Sequence, residues 1–111
     1  MMGRLVAVVL AFVLSLGVAV PSAWAGNAAD GKAVFSANCA ACHAGGKNVV
    51  APPKNLQKDA LAKYGKDSAD AIITQVTKGN GAMPAFGGKL NETQIADVAA
   101  YVLEQAENGW S

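Results

Sequence analysis

The sequence predicts an all-α fold of about four helices with no strand, and three observations carry that prediction. Apolar residues recur at helical spacing: Ala69, Ile72, Ile73 and Val76 stand at i, i+3, i+4 and i+7, and Ile95, Val98, Ala99 and Val102 form a second such stripe. Residues suited to helix N-caps stand ahead of both stripes. Glycines follow both, and Gly-Gly and Pro-Pro pairs break the chain between segments.

The first helix runs from about Asn27 or Asp30 to Cys39, with Ala33, Val34 and Phe35 as its apolar contacts. Ala44 to Lys54 is irregular, broken by Gly45-Gly46 and Pro52-Pro53. The second helix covers Leu56 to Tyr64, where Leu56, Ala60, Leu61 and Tyr64 share a face, and Gly65 ends it. The third starts at Asp67 or Ser68, either of which can cap it, and stops at Gly79. The last carries two signals at its start: Asn91 is a good N-cap, and Gln94 three residues on completes a capping-box pair. Gly109 terminates it. The loop from Gly79 to Gly88 is glycine-rich but lacks the Lys-Ser/Thr ending of a phosphate cradle.

A leader precedes these helices. Arg4 gives a short positive start, Leu5 to Val20 is apolar apart from Ser15 and Gly17, and Pro21 breaks the run before an A-x-A cleavage pattern at Ala23-Trp24-Ala25. A membrane span needs about 20 apolar residues, more than this run supplies. Residues 1–25 are therefore expected to be a cleaved signal peptide, leaving residues 26–111 as one small exported domain. Lys and Arg total 9 against 8 Asp and Glu, and Arg4 is the only arginine, so that domain is formally neutral. With no basic run, nucleic-acid binding is not expected.

Cys39-Ala40-Ala41-Cys42-His43 carries the chemistry. Two thiols three residues apart lie on one face of a helical turn, where they can add to the two vinyl groups of a porphyrin. His43, four residues past Cys39, can present its imidazole to the iron. Three other uses of C-x-x-C compete. A structural zinc site wants four Cys or His ligands, and Cys39, Cys42 and His43 are all the Cys and His in the chain. A thioredoxin-type pair opens a helix after a buried strand, whereas the flank from Gly31 to Asn38 is helical in pattern. A disulfide closing so small a loop stabilises little. Elimination leaves covalent haem attachment.

If His43 takes one axial position, a thioether is a common partner on the other, and it raises the reduction potential. Met1 and Met2 leave with the leader, so Met83 is the only methionine remaining. It lies in an irregular loop where no apolar stripe requires it, flanked by glycines that let the backbone approach a flat cofactor and by Pro84, which restrains the turn. Lys or solvent in that position is the alternative. With both positions filled by protein, no site remains for oxygen or peroxide, and no second histidine is present to act as a distal base.

With these residues placed, the chain resembles the class I cytochromes c, and within them the cytochrome c6 (c-553) family of cyanobacteria and algae. The resemblance covers nearly all of residues 26–111, from Gly31-Lys32-Ala33-Val34-Phe35 through the Cys39–His43 motif, Asn48 to Pro52 and Leu61 to Gly65. It is most specific from Gly79 to Gly88, and it continues from Ile95 to Val102 and at Trp110. It implies a class I cytochrome c fold, about four helices wrapped around one covalently bound haem c. It implies a soluble one-electron carrier, not an enzyme, that takes electrons from the cytochrome b6f complex to photosystem I in the thylakoid lumen, or works in a periplasm. The expected form is a monomer, free of the membrane after cleavage, meeting its partners transiently.

The resemblance also implies roles for single residues. The first and last helices would cross at Gly31, Phe35 and Tyr101. Gln75 matches a position near the haem, where it either tunes the potential or is an ordinary exposed glutamine. Asn48 and Lys54 match positions close to the haem propionates. Val49, Val50, Pro52, Ala82, Pro84 and Ala85 would form an apolar rim around the haem edge. Lys89 beside it either orients a docking partner or is simply solvated. The absence of a second cysteine pair argues against the disulfide-bearing plant and green-algal relative, and the short leader suits a bacterial or plastid-encoded precursor. Two other functions stay open. One is an electron donor to a terminal oxidase, using the same rim. The other is a small haem peroxidase or gas sensor, which would need an open axial position.

Overall fold

The first helix starts where a side chain can replace a missing backbone partner. The Asn27 side chain accepts from the Asp30 N–H at 3.1 Å, and helix α1 (Ala28–Asn38) follows. It is seen in a computed structural model that describes residues 26–111; the leader expected over residues 1–25 lies outside the described residues. After α1 come α2 (Ala40–His43), a 3₁₀ turn (Ala44–Gly46), α3 (Lys58–Lys63), α4 (Ala69–Lys78) and α5 (Glu92–Glu107). Among the described residues there is no strand, only an isolated bridge between Asn80 and Met83. No described helix is long and apolar enough to cross a membrane.

Five α-helices stand where about four were expected, because the chain breaks at Cys39. Cys39 (φ −115°, ψ −30°) is at once the C-cap of α1 and the N-cap of α2. Just before it, the Asn38 side-chain amide donates to the Val34 carbonyl at 3.0 Å, a local bond that competes with helix continuation. Helix α3 is shorter than the Leu56–Tyr64 expectation. The Leu56 N–H donates to the Gly46 carbonyl at 2.8 Å and the Gln57 N–H to Asn55 Oδ1 at 2.9 Å, so that backbone is held by other partners. Helix α4 begins as expected, with Ser68 Oγ accepting from the Ala71 N–H at 3.2 Å. In α5, Asn91 and Gln94 form the reciprocal capping box, with bonds of 2.8 and 3.0 Å.

The α1–α5 crossing organises the core. A Cβ on Gly31 would run into the Asp97 carbonyl and would sit 2.9 Å from Tyr101 Cβ, so the two backbones can meet only where that side chain is missing. Phe35 then packs its ring 5.2 Å from that of Tyr101. On α5, Val98 and Ala99 are 1% and 0% exposed, and Ile72 and Val76 of α4 join the same cluster. Burying each of the Ile72, Val76 and Val98 side chains stabilises by about 1.5–3 kcal/mol relative to exposure. Asp97 is the one buried charged side chain among the described residues, and its Oδ1 accepts from the Asn27 N–H at 2.8 Å, pinning the start of α1 to α5.

Candidate functional site

The core does not close on itself. It leaves a cavity of about 750 Å³, within the size range of small-molecule and cofactor sites. Phe35, Leu61, Ile72, Val76, Val98 and Val102 give it an apolar lining. Into it come Cys39, Cys42 and His43 from the α1–α2 junction, and Gln75 and Met83 from α4 and the loop after it.

On the attachment side the two cysteines form no disulfide with each other; Cys39 is half-buried and Cys42 exposed. Burial pushes the Cys39 thiol up, which leaves Cys42 the more accessible nucleophile. The imidazole of His43 is fixed by a bond that no local motif signals: its Nδ1 lies 2.8 Å from the Lys47 carbonyl oxygen. A carbonyl can only accept, so Nδ1–H donates and the lone pair is left on Nε2. That is the tautomer a metal-binding histidine needs, with its orientation held by a backbone acceptor. The turn that places Lys47 is itself held by the Lys47 N–H donating to Ala44 O (3.3 Å) and the Val49 N–H donating to Cys42 O (3.1 Å).

The Met83 side is a loop stitched to the end of α4. Asn80 and Met83 exchange both backbone bonds at 3.0 Å, making a tight turn over Gly81-Ala82. Beyond it the Phe86 N–H donates to Val76 O at 2.8 Å and the Gly87 N–H to Thr77 O at 3.1 Å. Gly79 makes the reversal possible: its φ is +67°, and a Cβ there would lie 2.6 Å from the Met83 carbonyl. Gln75, on the last turn of α4, donates from Nε2 to the Met83 sulfur at 3.4 Å. The amide thus touches the one thioether in the described chain.

The remaining candidates divide. Asn48 and Lys54 both line the cavity. The Asn48 amide is engaged with its own loop, donating to Lys54 O at 2.8 Å and accepting from the N–H groups of Val50 (3.1 Å) and Ala51 (2.8 Å). Lys54 and Lys63 place their ammonium groups 5.7 and 5.6 Å from the Tyr64 ring centroid. Lys89 does not line the cavity; its Nζ lies 5.7 Å from the Phe86 ring centroid, one step outside. Of the apolar rim, Val50, Ala82 and Pro84 reach the cavity, and Val49 and Val50 are 67% and 62% exposed.

This donor set fits a haem and not a bare metal ion. Among the described residues no three His, Cys, Asp or Glu side chains converge as a zinc site would require. Two thiols, an imidazole with a free Nε2 and a thioether open on one apolar cavity are the groups that thioether attachment and His/Met ligation use.

Known proteins point the same way. A protein-family model described as "Cytochrome C oxidase, cbb3-type, subunit III" matches residues 26–102. Cytochrome c6 of Microcystis aeruginosa is 67% identical over 81 residues, covering 73% of this chain and all of that protein. Cytochrome c6 of Thermosynechococcus vestitus is 54% identical over 105 residues, covering 95% of this chain and 91% of the other. Among solved structures, cytochrome c6 of the diatom Phaeodactylum tricornutum superposes with a TM-score of 0.75 at 56% identity, over 77% of this chain and all of that one. The chain belongs to the cytochrome c6 family: it is a c-type cytochrome with one covalently bound haem c, an electron carrier and not an enzyme.

Proposed function

We propose that the chain is the mobile carrier that accepts electrons from the cytochrome b6f complex and delivers them to photosystem I. The observation that carries this reading is that His43, with Nε2 free, and Met83 open on one cavity. The haem iron supplies a one-electron couple. Cys39 and Cys42 would anchor the group as thioethers, and His43 and Met83 would be its two iron ligands, leaving no iron position for oxygen or peroxide. That speaks against a peroxidase or gas sensor. Gln75 donates to the Met83 sulfur and draws electron density from it, which raises the potential. Asn48 shapes the loop at the cavity mouth, and Lys54 lies there as a cation for the haem propionates.

The leader, residues 1–25, is removed during export, and the carrier works in the thylakoid lumen or a periplasm as a monomer. Val50, Ala82 and Pro84 offer the partner a small apolar contact, and Lys89 beside them orients it. Such a contact releases quickly because it is small, and its charge acts on encounter more than on affinity. A second reading, donation to a terminal oxidase through the same rim, has one observation behind it: the matching family model is named for an oxidase subunit.

Flash-induced photosystem I reduction tests the proposal. The wild type should reduce it rapidly, and Lys89→Glu should slow that rate and change its salt dependence while leaving the spectrum intact. Equal rates at all salt concentrations would remove Lys89 from docking. A wild type that reduces an oxidase but not photosystem I would establish the second reading.

A further inference from the structure

Just past α5 the backbone takes an uncommon conformation. Helix α5 closes with a Schellman arrangement, the Trp110 N–H donating to Gln105 O (2.8 Å) and the Gly109 N–H to Ala106 O (3.4 Å). Trp110 itself then takes φ +63°, the only positive φ among the described non-glycine residues. Bulky residues are rarely found there, and the conformation persists only where surroundings hold it.

What holds it is the turn behind the haem-attachment motif. The indole lies flat against Gly46, where a Cβ would come within 2.5 Å of the ring, and Gly46 is itself at φ +77°. The indole Nε1–H donates to Leu56 O at 2.9 Å, and the Leu56 N–H donates to Gly46 O at 2.8 Å. Phe35 flanks the indole at 5.4 Å and Tyr101 meets it edge-on at 6.1 Å. The residue after Gly46 is Lys47, whose carbonyl receives the His43 Nδ1–H.

We propose that Trp110 is a positioning residue for His43: it clamps the Gly46–Lys47 peptide, and through the Lys47 carbonyl it fixes the imidazole and the basicity of its free nitrogen. A histidine whose N–H is firmly accepted is a stronger donor to iron. Loosening the clamp weakens that donation and raises the potential. The proposal rests on His43 being an axial ligand.

The test uses the haem-loaded protein. Trp110→Phe keeps a ring but removes the Nε1–H, and Gly46→Ala drives a methyl into the indole. Both should raise the midpoint potential and speed exchange of the His43 Nδ1–H by about tenfold, the effect of losing one ordinary hydrogen bond. Trp110→Phe should retain His/Met optical bands. If both variants lose thermal stability alone, with potential and Nδ1–H exchange unchanged, Trp110 is only packing and the proposal fails. Should either variant not fold, exchange in the wild type decides. On mild heating the Trp110 Nε1–H and His43 Nδ1–H should open together, and independent opening overturns the clamp. A wild type without His/Met bands would instead overturn the ligand assignment beneath it.

Discussion

His43 and Met83 reach one cavity by different routes. The His43 side is built from consecutive residues: Cys39 caps two helices, α2 carries the motif, and a turn four residues on returns the Lys47 carbonyl to the ring. The Met83 side is built from a reversal. Gly79 turns the chain at positive φ, Asn80 pairs with Met83, and Phe86 and Gly87 bond back to α4. Contiguous residues give the first side its geometry almost by covalent connectivity. The second has little local preference and depends on the packing of α4 against α5. It should therefore be the softer of the two.

Met83→Ala tests that difference most severely. The haem should stay attached through its cysteines, while the potential falls by a few tenths of a volt, within the ~0.8 V span that axial ligands command. The reduced protein should then bind carbon monoxide, and an optical titration that finds no binding would contradict ligation by Met83. Gly79→Ala comes next. Positive φ and the 2.6 Å approach to the Met83 carbonyl should cost about 1–3 kcal/mol, seen as earlier thermal loss of Met coordination.

On the other side, Asn48→Ala removes three bonds that organise the loop behind the motif. Because that loop is largely exposed, the loss should be about 1–2 kcal/mol by thermal unfolding, with the His43 signature preserved. A larger loss than for Gly79→Ala would reverse the ranking of the two sides. The smallest change is expected from Gln75→Val, which leaves the fold intact and lowers the potential by deleting the donor to the Met83 sulfur. An unchanged potentiometric titration would remove the tuning role.

Local signals were legible and carried far. Ser68 and the Asn91–Gln94 box start their helices as expected, because capping is settled within four residues. Gly31 was expected at the helix crossing, and a Cβ there would indeed strike Asp97. Leu56 shows the limit. Its apolar spacing suited a helix, yet its N–H is taken by Gly46, ten residues back, and the chain stays non-helical until Lys58. Periodicity reports which face is apolar, not which backbone partner wins.

By itself, the sequence determined the cofactor chemistry and the fold class. Cys39, Cys42 and His43 are the only residues of their kind, Met83 is the only methionine after residue 2, and the helical stripes admit no strand. Only the tertiary structure decided how these groups are held: the Lys47 carbonyl on His43, the Gln75 amide on Met83, and the Trp110 indole on Gly46. The first of these contacts engages a main-chain carbonyl, which every residue type offers alike, and the last needs a glycine ten residues before the Leu56 carbonyl that takes the indole N–H. Such partners acquire an identity only when folding places them within 3 Å or so of a side chain.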